Sequence, residues 1–541
     1  MSGSNIAMRN KRVLSVELAN RLLRDKCISV WDLTRYCVGL AEWGDEVCKL
    51  NIMQDFVDES ELQSACKLSQ GYLDRNCPRS SLEGIPMTVK ANMAYETLPL
   101  TAGSTILKSH DGKAGYTCEI ASFLTKDAGA ICLGSTTMDE FGMGSYGTHQ
   151  PINNDKPTIN PSYLLPPSPD DIIDDAVEWW TRRILRREYP TKSACNGGEI
   201  RVVGGSSCGA AASVSLGSSL VALGTDTGGS IRLPAAWTNT VGLKPTYGTY
   251  SRHGVVSYAS SLDTVGFLTP TLSCAHHTYQ TLSSSLPSKH DPTTVLPPLT
   301  TNTNKNESTV RIGIPSAMIL QECPSDILQT WKSLIHQLQK STDRDVQIVI
   351  IDQQTLSPEL IQHSLAAYYI LACAEASSNL SRYDGLRYGH TYNNSQTYTS
   401  LEEQYSDYRG DYLGIEVVRR IMCGTSVLSS DRFHTHYEAA TQLRAYLSQQ
   451  FHNTFTTHNI HALVFPTTLQ AQPPLLEEIA HKDPMLSDIM TIPPSLGGLP
   501  TLAFPYLNIG MQLVGPKFSE SSLLHIANNI FNNNYDNVID E

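Results

Sequence analysis

Two serine clusters, each flanked by glycine, carry the residues in this chain best suited to nucleophilic catalysis. Gly204-Gly205-Ser206-Ser207 and Gly228-Gly229-Ser230 bracket a small apolar run within residues 204–236. Glycine beside a hydroxyl lets the backbone take shapes barred to other residues and lets a substrate approach the main chain closely. Ser230 follows Thr227-Gly228-Gly229, so successive unhindered amides are available to receive a developing oxyanion, a service worth about 3–4 kcal/mol per donor. One such cluster alone reads more plainly as a glycine-rich turn between strand and helix; two on one short segment call for a chemical explanation.

A serine hydroxyl is a weak nucleophile at neutral pH and needs a base. The histidines, among them His110, His149, His253, His363 and His434, sit in polar or loop-like contexts without a glycine-bounded motif. Lys90 fits better. It ends the apolar stretch Ile85-Pro86-Met87-Thr88-Val89, and burial there would depress its pKa and keep a neutral amine available. Taken alone, a lysine in this position is more often a strand-end surface residue or an ion-pair partner. Ser206 then becomes a relay between amine and nucleophile. It lies 24 residues before Ser230, far enough for an Ala-rich helix to bring both loops to one end of a sheet.

Elements of the right kind surround these positions. Apolar spacing over 13–75 (Val13, Val16, Leu18, Leu22, Leu23, then Ile28, Trp31, Leu33 and Leu40) predicts amphipathic helices. Residues 82–93 predict a short buried strand that delivers Lys90, and 117–134 a helix closed by Gly129 and followed by a strand. Residues 310–315, 346–351 and 462–466 read as further strands, 323–340 as a helix, and 364–450 as mostly helical. Strands alternating with helices predict an α/β architecture. Residues 151–200, rich in proline and holding the acidic run Asp170-Asp171 and Asp174-Asp175 beside WWTRRILRR, read as a surface insertion with one solvated helix. Residues 281–309, rich in Ser, Thr, Pro and Asn, read as a flexible loop. No internal repeat is found.

Composition narrows the class. The 541 residues carry a formal charge of −13, which disfavours unaided binding to phosphate-rich partners. Thirteen cysteines are scattered without a CxxC pair, so zinc-ribbon and thioredoxin-like readings lack support. A reducing compartment is expected, with the thiols acting as small apolar fillers. No run reaches the ~18 apolar residues that a membrane span needs. The start, MSGSNIAMRNKRVLSVELANRLLRDK, carries two readings: a degenerate organelle presequence, or the first helix of the domain.

The motifs GIPMTVK (84–90), GAICLGSTTMDEFGMGS (129–145), GGSSCG (204–209), ALGTDTGGSIRLPAA (222–236), VGLKPTYGTYSRHGV (241–255) and SSLDTVGFLT (260–269) resemble those of the amidase signature family. Later pieces, NLSRYDGLRYG (379–389), RRIMCGT (419–425) and the tail from DIMTIPPSLGGLPTLAFPY onward, resemble the glutamine-using tRNA amidotransferase A-type subunits within it, in a mitochondrial, fungal-type version. The likeness runs from about residue 80 to the end.

This resemblance implies an amidase signature fold, a mixed central sheet covered by helices on both faces. Residues 1–80 would form a helical region of the same domain, and 81–541 the amidase domain with its insertion at 151–200 and loop at 281–309. It implies Lys90 as base, Ser206 as a relay after a cis peptide bond, and Ser230 as nucleophile, with the oxyanion amides on Thr227, Gly228, Gly229 and Ser230. Tyr368, Arg420 and Asp488 are implied to hold glutamine, the arginine clamping its α-carboxylate and the aspartate its α-ammonium; Tyr369 and Arg419 are the adjacent alternatives. No cofactor or metal is implied on this chain. ATP and Mg belong to a B-type partner that converts Glu-tRNA(Gln) to Gln-tRNA(Gln), with a small additional subunit and residence in the mitochondrial matrix.

Four departures from the family pattern stand out: Ala91 where an aspartate is usual, Cys208 and Ala210 within GGSSCGA, a 151–200 segment longer than the family's short connection before GGSS, and no loop between Pro505 and Gly510. Two other readings stand beside the main one: a free-standing amidase for another small or fatty amide, and a protein that keeps the fold as a structural subunit without catalysis.

Overall fold

The computed structural model describes residues 13–108, 112–164, 175–190, 198–284, 288–295, 309–319, 323–340, 345–385, 387–389 and 398–531. The strands are β1 (Met53–Phe56), β2 (Pro86–Lys90), β3 (Ile131–Thr136), β4 (Val221–Asp226), β5 (Val241–Lys244) and β6 (Thr264–Thr269). They continue with β7 (Thr309–Pro315), β8 (Asp345–Ile351), β9 (Ala462–Pro466), β10 (Thr501–Tyr506) and β11 (Ile509–Val514). All eleven join one sheet in the order β1-β3-β2-β4-β6-β5-β10-β11-β9-β7-β8. The sheet is mixed: β2 runs parallel to both β3 and β4, and β7 to both β8 and β9, while β4–β6, β5–β6 and β10–β11 are antiparallel.

Side chains alternate across a strand, and here the alternation divides the core. Val221, Leu223, Phe267 and Leu502 face the larger cluster, together with Leu22, Leu33, Ile361 and Leu371 from helices. Ala222, Leu268 and Ala503 face the other side, against Ala210, Ala211, Ala212 and Val214 of the helix Cys208–Leu216. Helices therefore cover both faces, as expected.

The amino-terminal region departs from the all-helical expectation. Helices Val16–Arg24, Val30–Val47 and Glu59–Asp74 are present, but β1 lies between the last two and pairs antiparallel with β3. Four residues are too few to show a period of two, and the pairing is set by an edge that only the folded sheet supplies. Ser29 and Asp32 form a capping box at the head of the second helix, which fixes where that helix begins.

Within 151–200, helix Ala176–Arg186 is not merely solvated. Trp180 and Ile184 are buried, Trp180 meets the Tyr36 ring edge-on at 6.3 Å, and Arg183 Nε donates to Tyr36 Oη at 2.9 Å. The acidic run Asp170-Asp171 and Asp174, most of the 281–309 loop and residues 1–12 of the amino-terminal start lie outside the described residues.

The missing loop before Gly510 has a local solution. Leu507 and Asn508, both at positive φ (49° and 65°), close a two-residue hairpin with Tyr506 opposite Ile509. Of the described cysteines, Cys48 is disulfide-bonded, so the expectation that every cysteine is a free filler fails there. Cys37, Cys118, Cys132 and Cys274 are buried free thiols. No helix among the described residues is long and apolar enough to cross a membrane.

Candidate active site

Because β2 and β4 are parallel neighbours, in register at Met87–Val221 and Val89–Leu223, their carboxyl ends lie at one end of the sheet. Lys90 is the last residue of β2, and the 227–230 turn follows β4 directly. The Ser206 loop opens the helix Cys208–Leu216, which packs over β4 and so returns the first serine cluster to the same end. Ligand sites favour the carboxyl ends of parallel strands for this topological reason.

Lys90 is wholly buried. Its Nζ lies 2.8 Å from Ser206 Oγ, 2.9 Å from Ser207 Oγ and 3.1 Å from Thr225 Oγ1. Burial draws its pKa down to about 8, against the opposing pull of the surrounding acidic groups. A neutral amine in this position keeps one lone pair, which the Ser206 hydroxyl can reach with its proton.

The Gly205–Ser206 peptide is cis. A Cβ on Gly205 would stand 2.0 Å from Asp139 Oδ2, so only glycine fits between this loop and that carboxylate. Asp139 is buried, accepts the amides of Gly147 (3.1 Å) and His149 (2.9 Å), and its own N–H donates to the Ser206 carbonyl at 3.3 Å. The two serine loops meet where Ser207 N–H donates to the Ser230 carbonyl at 3.1 Å.

The turn bearing Ser230 is held from both flanks. Asp226 and Arg232 form an ion pair at 2.9 Å, both fully buried, and Asp226 also accepts the Ile231 amide at 3.1 Å. Arg232 reaches on to the Thr491 carbonyl (2.7 Å) and Ser495 Oγ (2.6 Å). Thr227 Oγ1 donates to Asp263 Oδ1 at 2.8 Å. Among the described residues, the amides of Thr227, Gly228, Gly229 and Ser230 have no protein acceptor.

A second group of side chains crowds against the same turn. A Cβ on Gly228 would lie 2.6 Å from the Tyr368 ring, and one on Gly229 would lie 2.4 Å from Thr491 Oγ1 and 3.1 Å from Asp488 Oδ1. Asp488 accepts from Ser145 Oγ at 2.6 Å, and burial lifts its carboxyl to about 7. Arg420 donates to Glu416 (2.9 Å) and to Tyr258 Oη (2.5 Å), and it lies 5.3 Å from the Tyr369 ring. Tyr368 and Tyr369 meet edge-on at 5.1 Å. Of the two adjacent arginines, Arg419 is 67% exposed and pairs with Glu416 on the surface, whereas Arg420 points inward at 9%.

Ser207, Thr225, Asp139, Ser145, Tyr258 and the Asp226–Arg232 pair were not singled out from the sequence. Each lies inside or beside one of the motifs quoted above, so the motif text held a signal for location. It held none for partnership. No cluster of His, Cys, Asp and Glu able to hold a metal ion occurs among the described residues.

The sequence profile of the amidase family matches residues 46–165 and 190–524. Over 531 residues the chain is 35% identical to the A-type subunit of glutamyl-tRNA(Gln) amidotransferase from Lawsonia intracellularis, covering 95% of this chain and 96% of that protein. It is 34% identical over 487 residues to the mitochondrial counterpart of the same name from Ajellomyces capsulatus, covering 82% of this chain and 83% of that one. The crystal structure of the corresponding Thermotoga maritima protein superposes with a TM-score of 0.67 at 26% identity, over 97% of this chain and 95% of that one.

Proposed function

The chain belongs to the amidase family, and from that premise we propose that it hydrolyses the side-chain amide of glutamine and passes the ammonia to a partner protein. Neutral Lys90 accepts the Ser206 proton as Ser206 takes that of Ser230, and Ser230 Oγ attacks the amide carbon. The amides of Thr227, Gly228, Gly229 and Ser230 receive the oxyanion. Protonated Lys90 returns its proton by the same route to the amide nitrogen, ammonia leaves, and water attacks the acyl-enzyme to release glutamate and restore Ser230.

The observation that carries this reading is the 2.8 Å contact between Lys90 Nζ and Ser206 Oγ, at the sheet end where the Ser230 turn emerges. Glutamine rather than an apolar amide is favoured by the charged groups beside the turn. Arg420 supplies a cation for the α-carboxylate, Asp488 an anion for the α-ammonium, and Tyr368 the wall against Gly228. An apolar amide would bring no charged group to meet either side chain.

The relatives named as amidotransferase subunits support the wider assignment: ammonia for the conversion of Glu-tRNA(Gln) to Gln-tRNA(Gln). In that scheme a B-type partner uses ATP and Mg, one further small protein completes the complex, and this acidic chain leaves tRNA to the B-type partner. The fungal mitochondrial relative supports residence in the mitochondrial matrix. A glutaminase assay of the chain with and without its partner subunits tests the proposal. Release of glutamate that vanishes in Ser230→Ala, while ammonia-dependent transamidation persists, is the expected result; unchanged glutamate release in that variant would overturn it.

A further inference from the structure

Arg420 is a buried cation whose guanidinium is braced by protein groups yet keeps one edge open. It lies over two rings, Tyr369 at 5.3 Å and Tyr258 at 5.6 Å. Its Nε donates to Glu416 Oε1 at 2.9 Å, and its Nη1 donates to Tyr258 Oη at 2.5 Å. A guanidinium carries five N–H donors in a fixed fork. Among the described residues nothing accepts from Nη2, so the edge shared by Nη1 and Nη2 keeps donors for a bidentate carboxylate. Tyr258 is itself fixed from two sides. Its N–H donates to Asp263 Oδ2 at 2.9 Å, and its carbonyl accepts from Asn379 Nδ2 at 3.1 Å. The other oxygen of that carboxylate, Oδ1, accepts the Thr227 hydroxyl at 2.8 Å. A path of side chains and hydrogen bonds thus runs from Arg420 through Tyr258 and Asp263 to the first residue of the oxyanion turn.

We propose that Tyr258 is a specificity-determining positioning residue: its hydroxyl aims the open edge of Arg420 at an α-carboxylate, so that the site selects amides bearing that group. The inference rests on the glutamine reading above and deepens it. A long arginine side chain has rotamers to lose, and ordering them at the moment of binding opposes affinity. Tyr258, Glu416 and the two rings order Arg420 beforehand. Their contributions differ in kind. Glu416 stands one turn earlier on the same helix, Ile415–Val427, and moves wherever that helix carries Arg420. Tyr258 reaches the guanidinium from a separate segment of chain, the one that Asp263 ties to Thr227. The Tyr258 hydroxyl therefore fixes the cation relative to the amides that receive the oxyanion, and so relates the carboxylate end of the substrate to its reacting end. The Tyr258 ring can hold its stacking place without the hydroxyl, but only the hydroxyl fixes the in-plane direction of the fork.

The test compares glutamine with 4-aminobutanamide, which is glutamine without its α-carboxylate, on the full chain with its partner subunits. Tyr258→Phe keeps the ring and removes the hydroxyl. The expected result is a rise of about tenfold or more in the KM for glutamine, the scale of one hydrogen bond to a charged group. The kcat/KM for 4-aminobutanamide should stay within about twofold of the native value. In an Arg420→Ala background there is no guanidinium to aim, so adding Tyr258→Phe should cost at most about twofold more with glutamine. A general loosening of the fold would instead slow both amides alike and add in full to Arg420→Ala. Either of those results, or a Tyr258→Phe enzyme whose preference for glutamine matches the native one, would overturn the proposal and leave the glutamine reading in place. A native enzyme that takes 4-aminobutanamide as readily as glutamine would remove the carboxylate clamp itself, and the glutamine reading would fall with it.

Discussion

Asp226 and Arg232 face each other at 2.9 Å across the base of the turn that presents Ser230, and neither side chain is exposed to solvent. The pair clamps both ends of the turn, and Arg232 extends the clamp to Thr491 and Ser495. Arg232→Ala strands the Asp226 carboxylate in the interior. A loss of about 3–5 kcal/mol in unfolding free energy is expected, read as a lower midpoint in urea titration, with glutaminase activity falling as the turn loosens.

Ser230 and Ser206 are expected to fail in the same way. Ser230→Ala and Ser206→Ala should each lower kcat for glutamine hydrolysis by at least about 10³–10⁴-fold, because members of one proton-transfer unit do not act independently. Circular dichroism should show the fold retained. Steady-state glutamate release is the check, and a Ser206→Ala variant within tenfold of the native rate would remove that serine from the pathway.

Lys90 sets the pH dependence. In the proposed mechanism its neutral form is the base, and burial places its pKa at about 8, so kcat should rise with unit slope up to about pH 8 and then level. Lys90→Arg, which stays protonated, should lose at least about 10³-fold. The same shift acts on stability. The folded pKa lies below the unfolded one, so the unfolded state holds the extra proton between about pH 8 and the ordinary lysine range. Stability contributed by this group is therefore lowest below pH 8 and recovers as pH rises through that window; Lys90→Met should flatten that dependence in urea titrations from pH 7 to 10.

Arg420 and Asp488 should govern affinity for glutamine. Arg420→Ala is expected to raise the KM by about 10–100-fold, the worth of a charge-assisted hydrogen bond, while exposed Arg419→Ala should leave it nearly unchanged. Asp488 is held up to about 7 by burial. It loses its charge, and its attraction for an α-ammonium, as pH falls through that value. The KM for glutamine should therefore climb below pH 7 in the native enzyme and stay flat in Asp488→Asn.

Much of this site was legible before the fold was known, and the reason differs by residue. Gly204-Gly205-Ser206 and Gly228-Gly229-Ser230 announce themselves because glycine pairs beside a hydroxyl mark backbone that must come close to something: Asp139 at Gly205, Tyr368 at Gly228 and Thr491 at Gly229. Lys90 could be placed at a strand end from the apolar run before it. The helical stretches around 364–450 and the strands near 310, 346 and 462 followed from periodicity and punctuation. The short strand β1 did not, since its four residues take their conformation from pairing with β3. Helix Ala176–Arg186 showed its arginines in the sequence, but not the burial of Trp180 and Ile184 against Tyr36.

By itself the sequence determined which chemical groups the protein owns and which stretches of backbone are free to bend around them, because those are properties of residue type and local spacing. Tertiary structure alone decided who meets whom. Asp226 finds Arg232 six residues on, but Lys90 finds Ser206 and Ser207 more than a hundred residues away, and Asp488 finds Ser145 at a separation of 343. Arg420 and Arg419 are identical in type and adjacent in sequence, yet one is buried against Tyr258 while the other lies in solvent. Such pairings are fixed by the parallel register of β2 with β4 and by the helix faces that pack over them, and no local property of the chain encodes a contact between its distant parts.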